Sequence, residues 1–518
     1  MLHCFSKPTS LSLSLCQIAY PFHLLPPPFP LPRKLFSSPC TVPITVMILR
    51  EMEDIMSSFK RRQKVSEVVK IDDGEDKISQ LPDGILHHIL SFLPTSNAVA
   101  TCILSTRWKN LWTIRNNLDF DDSLLYSSPF FDYKVTCFMH FVQRVLELRN
   151  ASTIEKFCLS CRVCFSASHV CTWLSSAIKN NVQELDLCLF AEEPFSLPPC
   201  VFYSKSLLVL KLQMTCILEL PDSISFPCLR TLHLRLVTFP DDSSTQRLFS
   251  GCPVLQELAV LDCEWIHLKS VSISIPSLKS LTIDDLPYFG SSDDLNGCEI
   301  RIDSSNLCFL KYSGYLSNEI YLYNLSSRVD ASIHIAVLCE KRNQIAFRAV
   351  NLFRGLNNVS SVRISSGAIK SLFSADDVLD RLPVFQNLTH LELSKELENQ
   401  TVGALMELLR RLPKLESLDF SQGLDPCKPS GENDWKLKAI PTCFFSSLKT
   451  VNYCNFHAKE TEICFLKLLL NIAIILEEMN IFCSKSFLED PKKHKEVRNH
   501  LHTPPKGSAH CAIKFFEV

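Results

Sequence analysis

The sequence predicts an α/β chain in which a small helical head precedes an irregular solenoid, or horseshoe, of short parallel strands, and an α+β segment closes the far end. Three observations predict it. A pattern of one apolar residue, two variable, one apolar, one variable and one apolar recurs at least ten times between residues 182 and 453. Ahead of it, LPDGILHHILSFLPTSNAVATCILSTRWKNLW at 81–112 concentrates apolar residues in three short helical stretches. Behind it, residues 462–474 read as a helix apolar on most sides, with Ile481-Phe482 as a following strand.

The composition allows such a chain and excludes others. Of 518 residues, 46% are hydrophobic, so a large core can be built and wholesale disorder is excluded. A net charge of −2 gives no excess of cations for phosphate neutralisation, so nucleic acid is not an expected partner. Only 12 glycines occur, with neither GxGxxG nor a GxxxxGK loop, against a nucleotide-binding fold. The 24 cysteines are spread along the whole length and read as reduced thiols serving as small hydrophobes. Sequons at Asn150, Asn324, Asn358, Asn387 and Asn399 carry little weight in a Ser-rich chain.

The first fifty residues stand apart. No Asp or Glu precedes Glu51, and LSLSLCQIAYPFHLLPPPFPLP is broken by prolines, so it is not a regular spanning helix. We read residues 1–75 as a disordered extension. An organelle transit peptide is the second reading, and a start at Met47, Met52 or Met56 the third. Lys60-Arg61-Arg62 with Lys64 reads as solvated chain before an import signal.

In the head, Leu81-Pro82 starts a helix, since proline is pre-organised for a first turn. Ile85, Leu86, Ile89, Leu90 and Leu93 follow as one broad apolar stripe. Pro94-Thr95-Ser96 ends that helix and offers a cap for the next, whose apolar face is Ala98, Val99, Cys102 and Ile103. Leu104, Trp108, Leu111 and Trp112 form a third cluster. Three short helices build only a small core, so part of this surface is left for a partner.

The recurrent pattern runs VQELDL (182–187), LLVLKL (207–212), LRTLHL (229–234), LQELAV (255–260), LKSLTI (278–283), LCFLKY (307–312), VSSVRI (359–364), LTHLEL (388–393), LESLDF (415–420) and LKTVNY (448–453), with IEKFCL (154–159) as a first member. From Leu185 to Leu310 its middle residues lie 22 to 29 apart, the period of leucine-rich repeats. The last two apolar side chains are two apart and so share a face of a strand. One strand cannot bury that face alone; stacked neighbours can. IYLYNL (320–325) and VDASIHI (329–335) are expected to fill the gap between Leu310 and Val362.

Chemistry is sparse. Cys158, Cys161 and Cys164 form CxxCxxC with Cys171 downstream, but three-residue spacing in a strand points to opposite faces, so no metal is expected. His87-His88 is not an HExxH pair, and no GxSxG occurs. No catalytic residue, cofactor or membrane association is expected.

Two stretches carry a resemblance. DKISQLPDGILHHILSFLPTSNAVATCILSTRWKNLW resembles an F-box of the plant type, with its LP, its IL-xx-IL-xx-L helix and its LSxRWxxLW ending. Trp435, then IPTCFFSSLKTVNYCNFHAKETEICFLKLLLNIAIILEEMNIF, then HTPPKGSAHCAIKFF, resembles the FBD domain of plant F-box/LRR proteins. Lys506-Gly507-Ser508-Ala509 departs from that family's Arg-Ala-Ser-like run and leaves the register of the last twenty residues open. The resemblance implies an F-box at 76–122, leucine-rich repeats at 123–430 and an FBD domain with terminal cap at 431–518. It also implies that the F-box docks on the Skp-type adaptor of a cullin–RING ubiquitin ligase. Carried over by position, the adaptor-binding residues are Leu81, Pro82, Ile85, Leu86, Ile89, Leu90, Leu93, Val99, Leu104, Ser105, Trp108 and Trp112.

The expected function is substrate recognition in an SCF-type (Skp-cullin-F-box) ligase in the nucleus and/or cytoplasm, with an unknown protein bound to the repeats. The alternative is a non-degradative repeat scaffold with a vestigial F-box. A hidden α/β enzyme and an extracellular repeat receptor rank below both.

Overall fold

The computed structural model describes residues 78, 81–122, 131–151, 153–162, 166–190, 195–285, 297–336, 342–375, 381–394, 397–398, 401–424, 440–488, 491–502, 507–508 and 510–517. Lys60-Arg61-Arg62, Lys64, Cys164, Asn399, Trp435, Lys506 and Ala509 lie outside them.

Its strands are β1 (Asn117–Asp121), β2 (Lys156–Cys161), β3 (Glu184–Leu189), β4 (Val209–Met214), β5 (Thr231–Arg235), β6 (Glu257–Leu261), β7 (Ser270–Ile273), β8 (Ser280–Asp285), β9 (Glu299–Asp303), β10 (Phe309–Gly314), β11 (Glu319–Tyr323), β12 (Asp330–Ile335), β13 (Ser361–Ile364), β14 (His390–Leu393), β15 (Ser417–Phe420), β16 (Thr450–Phe456), β17 (Glu478–Cys483) and β18 (Ala512–Glu517). Fifteen of them form one sheet in chain order from β1 to β18, leaving out only β7, β9 and β11.

The register explains the repeat. Leu185, Leu210, Leu232, Leu258, Leu281 and Leu310 stand side by side on successive parallel strands, and Ala331, Val362, Leu391, Leu418, Val451 and Met479 continue the row. This row and the next, two residues on, are at most 3% exposed from β2 to β17. Each strand starts two residues into its hexapeptide. The first apolar position (Val182, Leu207, Leu229, Leu255, Leu278) lies in the turn before the strand, where it is fully buried. It anchors the turn under the sheet instead of joining the ladder.

Two departures from the expected array follow. VDASIHI supplies β12 of the main sheet, but IYLYNL supplies β11 of a second parallel sheet, ordered β11-β9-β7. Side chains close that small sheet's β7 edge: Gln246 both donates to Ser272 O and accepts from Ser272 N at 2.9 Å, as a neighbouring strand would. The C-terminal segment, expected to cap the solenoid, instead lengthens its sheet. Helix Glu460–Ile472 lies between β16 and β17, and β18 pairs with β17 in register.

One rim of the sheet is set by tyrosines. Tyr312 in β10 and Tyr453 in β16 occupy the same row. Tyr312 Oη donates to Asp285 at 2.8 Å and accepts from Leu316 N at 2.7 Å. Tyr453 Oη donates to Glu462 Oε1 at 3.1 Å and accepts from Leu424 N at 2.9 Å. Loss of water pushes the Asp285 carboxyl up to about 7 and raises that of Glu462. Gly314 is required beside this clamp, since a Cβ there would lie 1.2 Å from Asp285 Oδ1.

Candidate functional site: an apolar face on the helical head

Helix Asp83–Ser91 begins at Pro82, with Asp83 in its first turn, where the helix dipole favours a negative charge. Its broad apolar stripe divides in two. Leu86 and Leu90, four apart, are wholly buried in the head's own core. Ile85, Ile89 and Phe92, at i, i+4 and i+7, share the adjacent side and are 47, 39 and 75% exposed. Leu104 beyond the second helix is 62% exposed, and Ile103 beside it is also uncovered.

The twelve residues expected to meet a partner therefore fall into three groups. Pro82, Ile85, Ile89, Leu104 and Ser105 are exposed; Leu81 and Leu93 are half-buried. Leu86, Leu90, Val99, Trp108 and Trp112 are buried and present no surface, a correction to the expectation for those five. The physical reason is the stripe's width. A five-residue stripe spans more than one contact face, so the small core takes one half. Phe92 and Ile103 were missed. Phe92 completes the Ile85–Ile89 line by helical spacing, a signal the sequence did hold.

Polar contacts fix the head against the first strands. Arg107 Nη2 bridges Asp83 at 2.7 Å, tying the turn after Leu104 to the start of the first helix. Thr95 N and Oγ1 donate to Asp119 Oδ1 of β1 at 2.8 and 2.6 Å, and Asp119 N donates back to Thr95 Oγ1 at 2.8 Å. The cap of the second helix thus comes from the sheet. Arg115 Nη2 reaches Leu93 O at 2.9 Å, and Arg149 Nη2 holds Arg115 O at 3.1 Å. His87, Ser91, Ile114, Asn117 and Glu155 line a shallow cavity at this seam. His88 is exposed and packs edge-on against Phe92.

The outward face of the main sheet is polar and largely self-paired. Glu184 accepts Lys156 at 2.8 Å and lies 3.6 Å from Lys211. Burial raises the carboxyl of Asp186 beside them, an effect that Lys211 and Lys156 oppose. Farther on, Arg363 bridges Glu392 at 2.7 Å, and Asn480, Asn452 and Asp419 link across three strands at 2.9 and 2.7 Å. Cys158 looks out on this face, with burial pushing its thiol up to about 12, while Cys161 points into the core. Among the described residues no group of three or more His, Cys, Asp or Glu is placed to hold a metal ion.

Comparison with known proteins agrees with this geometry. The F-box domain family matches residues 78–120. The LRR repeats of the FBD-associated F-box protein At5g56370 family match residues 170–295. The chain is 32% identical to the F-box/LRR-repeat protein At4g14096 of Arabidopsis thaliana over 439 residues, 80% of this chain and 89% of that one. It is 30% identical to the Arabidopsis F-box/FBD/LRR-repeat protein At5g56420 over 445 residues, 85% and 99% of the two chains. The putative Arabidopsis F-box/FBD/LRR-repeat protein At3g59240 is 33% identical over 392 residues, 73% and 74%.

Proposed function

Since this chain belongs to the plant F-box/LRR-repeat family, we propose that it is the substrate-recognition subunit of an SCF-type ubiquitin ligase. The carrying observation is the line Ile85, Ile89 and Phe92, three large apolar side chains left in water on one helix face of the head. An apolar helix face fits a groove between helices of a partner, here a Skp-type adaptor. The polar face of the repeats then holds a target protein at a fixed distance and orientation. The protein carries out no bond-making step of its own and acts in the nucleus and/or cytoplasm. Its contribution is effective concentration at a ubiquitin-charged enzyme.

Co-expression with a Skp-type adaptor tests this. Ile89→Asp with Phe92→Asp removes two anchors from solvent-facing positions; each such anchor contributes about 1–2 kcal/mol or more, so recovery of adaptor falls at least about tenfold. The melting temperature stays at the wild-type value. Undiminished adaptor recovery by the folded double variant refutes the docking assignment.

A further inference from the structure

Two thiols in neighbouring repeats are turned toward one another's segments. Helix Ala167–Lys179 leads into β3, the 3-10 turn Pro199–Tyr203 leads into β4, and the two pack together. Cys171 lies on the helix, and its Sγ donates to Ser196 O, just before Cys200, at 3.6 Å. Cys200 lies in the turn, and its Sγ donates to Ser175 Oγ, one helical turn beyond Cys171, at 3.7 Å. Residues four apart on a helix share a face, and Ser175 Oγ itself donates to Cys171 O at 2.7 Å. Each sulfur therefore stands on the other's segment. Both residues are half-buried, so small molecules reach them, and both are free thiols in the structure. Cys216, a third thiol at this segment, is turned instead to Phe195 O at 3.9 Å.

We infer that Cys171 and Cys200 are a reversible redox pair, closing a disulfide between the two repeats when a hydroperoxide is present. The Cys200 thiolate attacks the terminal oxygen of the peroxide. An S–O bond forms as the O–O bond breaks, Cys200 is oxidised to a sulfenic acid, and the peroxide leaves, protonated, as an alcohol or as water. The Cys171 sulfur then attacks the sulfenic sulfur; the S–S bond forms, and the departing hydroxide takes the Cys171 proton and leaves as water. Burial, and then the nearby Cys200, push the Cys171 thiol up, so Cys171 keeps its proton and takes the second step. The motion required is a turn of each sulfur about its single side-chain torsion, away from its present weak acceptor. A small thiol reverses the bond by exchange and is itself oxidised. The link joins the segments entering β3 and β4 and constrains the unfolded chain between them, so the oxidised repeats resist denaturant better than the reduced ones.

Peptide mapping of the full chain without reductant tests this. After hydrogen peroxide, alkylation of remaining thiols and trypsin, the peptides 163–179 and 180–205 are recovered joined by a disulfide, and dithiothreitol separates them. Those peptides also hold Cys164 and Cys188, so variants fix the partners. Cys171→Ser or Cys200→Ser abolishes the link; Cys164→Ser and Cys188→Ser keep it. Oxidation raises the urea midpoint of the wild type and leaves that of Cys200→Ser unchanged. Thermal melts of the reduced variants matching wild type separate a lost link from a lost fold. Peptides that stay unlinked in the peroxide-treated wild type, or a link that survives either the Cys171 or the Cys200 variant, overturn the inference.

Discussion

The two ends of the sheet carry the same kinds of residue and meet opposite fates. At β1, Leu118 and Phe120 are at most 3% exposed; Phe120 packs on Phe141 and Phe157, and Asp119 is bound into the helical head. At β18, Ile513 and Phe515 stand in equivalent rows and are half-open. Within the head the contrast repeats on one helix: Leu86 and Leu90 are closed off, whereas Ile85, Ile89 and Phe92 are not. An apolar side chain at either end of the sheet is therefore buried or open according to what covers it, not according to its type.

The largest expected effect breaks the closed side. Leu90→Ala opens a cavity in a small core and costs about 2–5 kcal/mol, read as a lower denaturation midpoint. Leu86→Ala with Leu90→Ala would thus report on folding and not on docking. Next, Asp119→Ala removes the acceptor of Thr95 N and Oγ1 and costs about 1–2 kcal/mol; adaptor affinity measured below the melting transition is unchanged. Ile85→Ala sharpens the comparison from the open side, with stability within about 0.5 kcal/mol of wild type and adaptor affinity clearly reduced in a calorimetric titration.

A further effect is a pH dependence. Asp285 holds its proton to about pH 7 in the folded chain against 3.8 as a free side chain. The folded state therefore binds more protons between these values, and this group's stabilising contribution, full below the lower value, is lost as pH rises through the higher. Asp285→Asn removes that slope. Urea midpoints at about pH 5 and about pH 8 should differ less in the variant than in the wild type.

How much of this was legible follows from spacing. The repeat strands were, because each hexapeptide must bury two alternate side chains; their starts were offset by two because the first apolar residue serves the turn. Strand β7 fits the spacing, as LKSVSI at 268–273, yet pairs outside the main sheet, whereas β9 has Gly297 at the first apolar position and so lacks the full pattern. At the head, the helix and its stripe were legible, but its division into inner and outer halves was not. That division depends on Trp108 and Trp112, which fill the core, and on Asp119, a cap 24 residues from the threonine it serves. Contacts of that range leave no local signal.

The central claim is that the outer half of the stripe is where an adaptor sits. Replacing Phe92 with a photo-crosslinking phenylalanine analogue tests it directly, with the similarly placed but remote Tyr203, 43% exposed, as the comparison site. Irradiated with a Skp-type adaptor, the chain labelled at Phe92 should yield a covalent adduct with it and the chain labelled at Tyr203 should not. No adduct at Phe92, or equal adducts at both sites, would contradict the account.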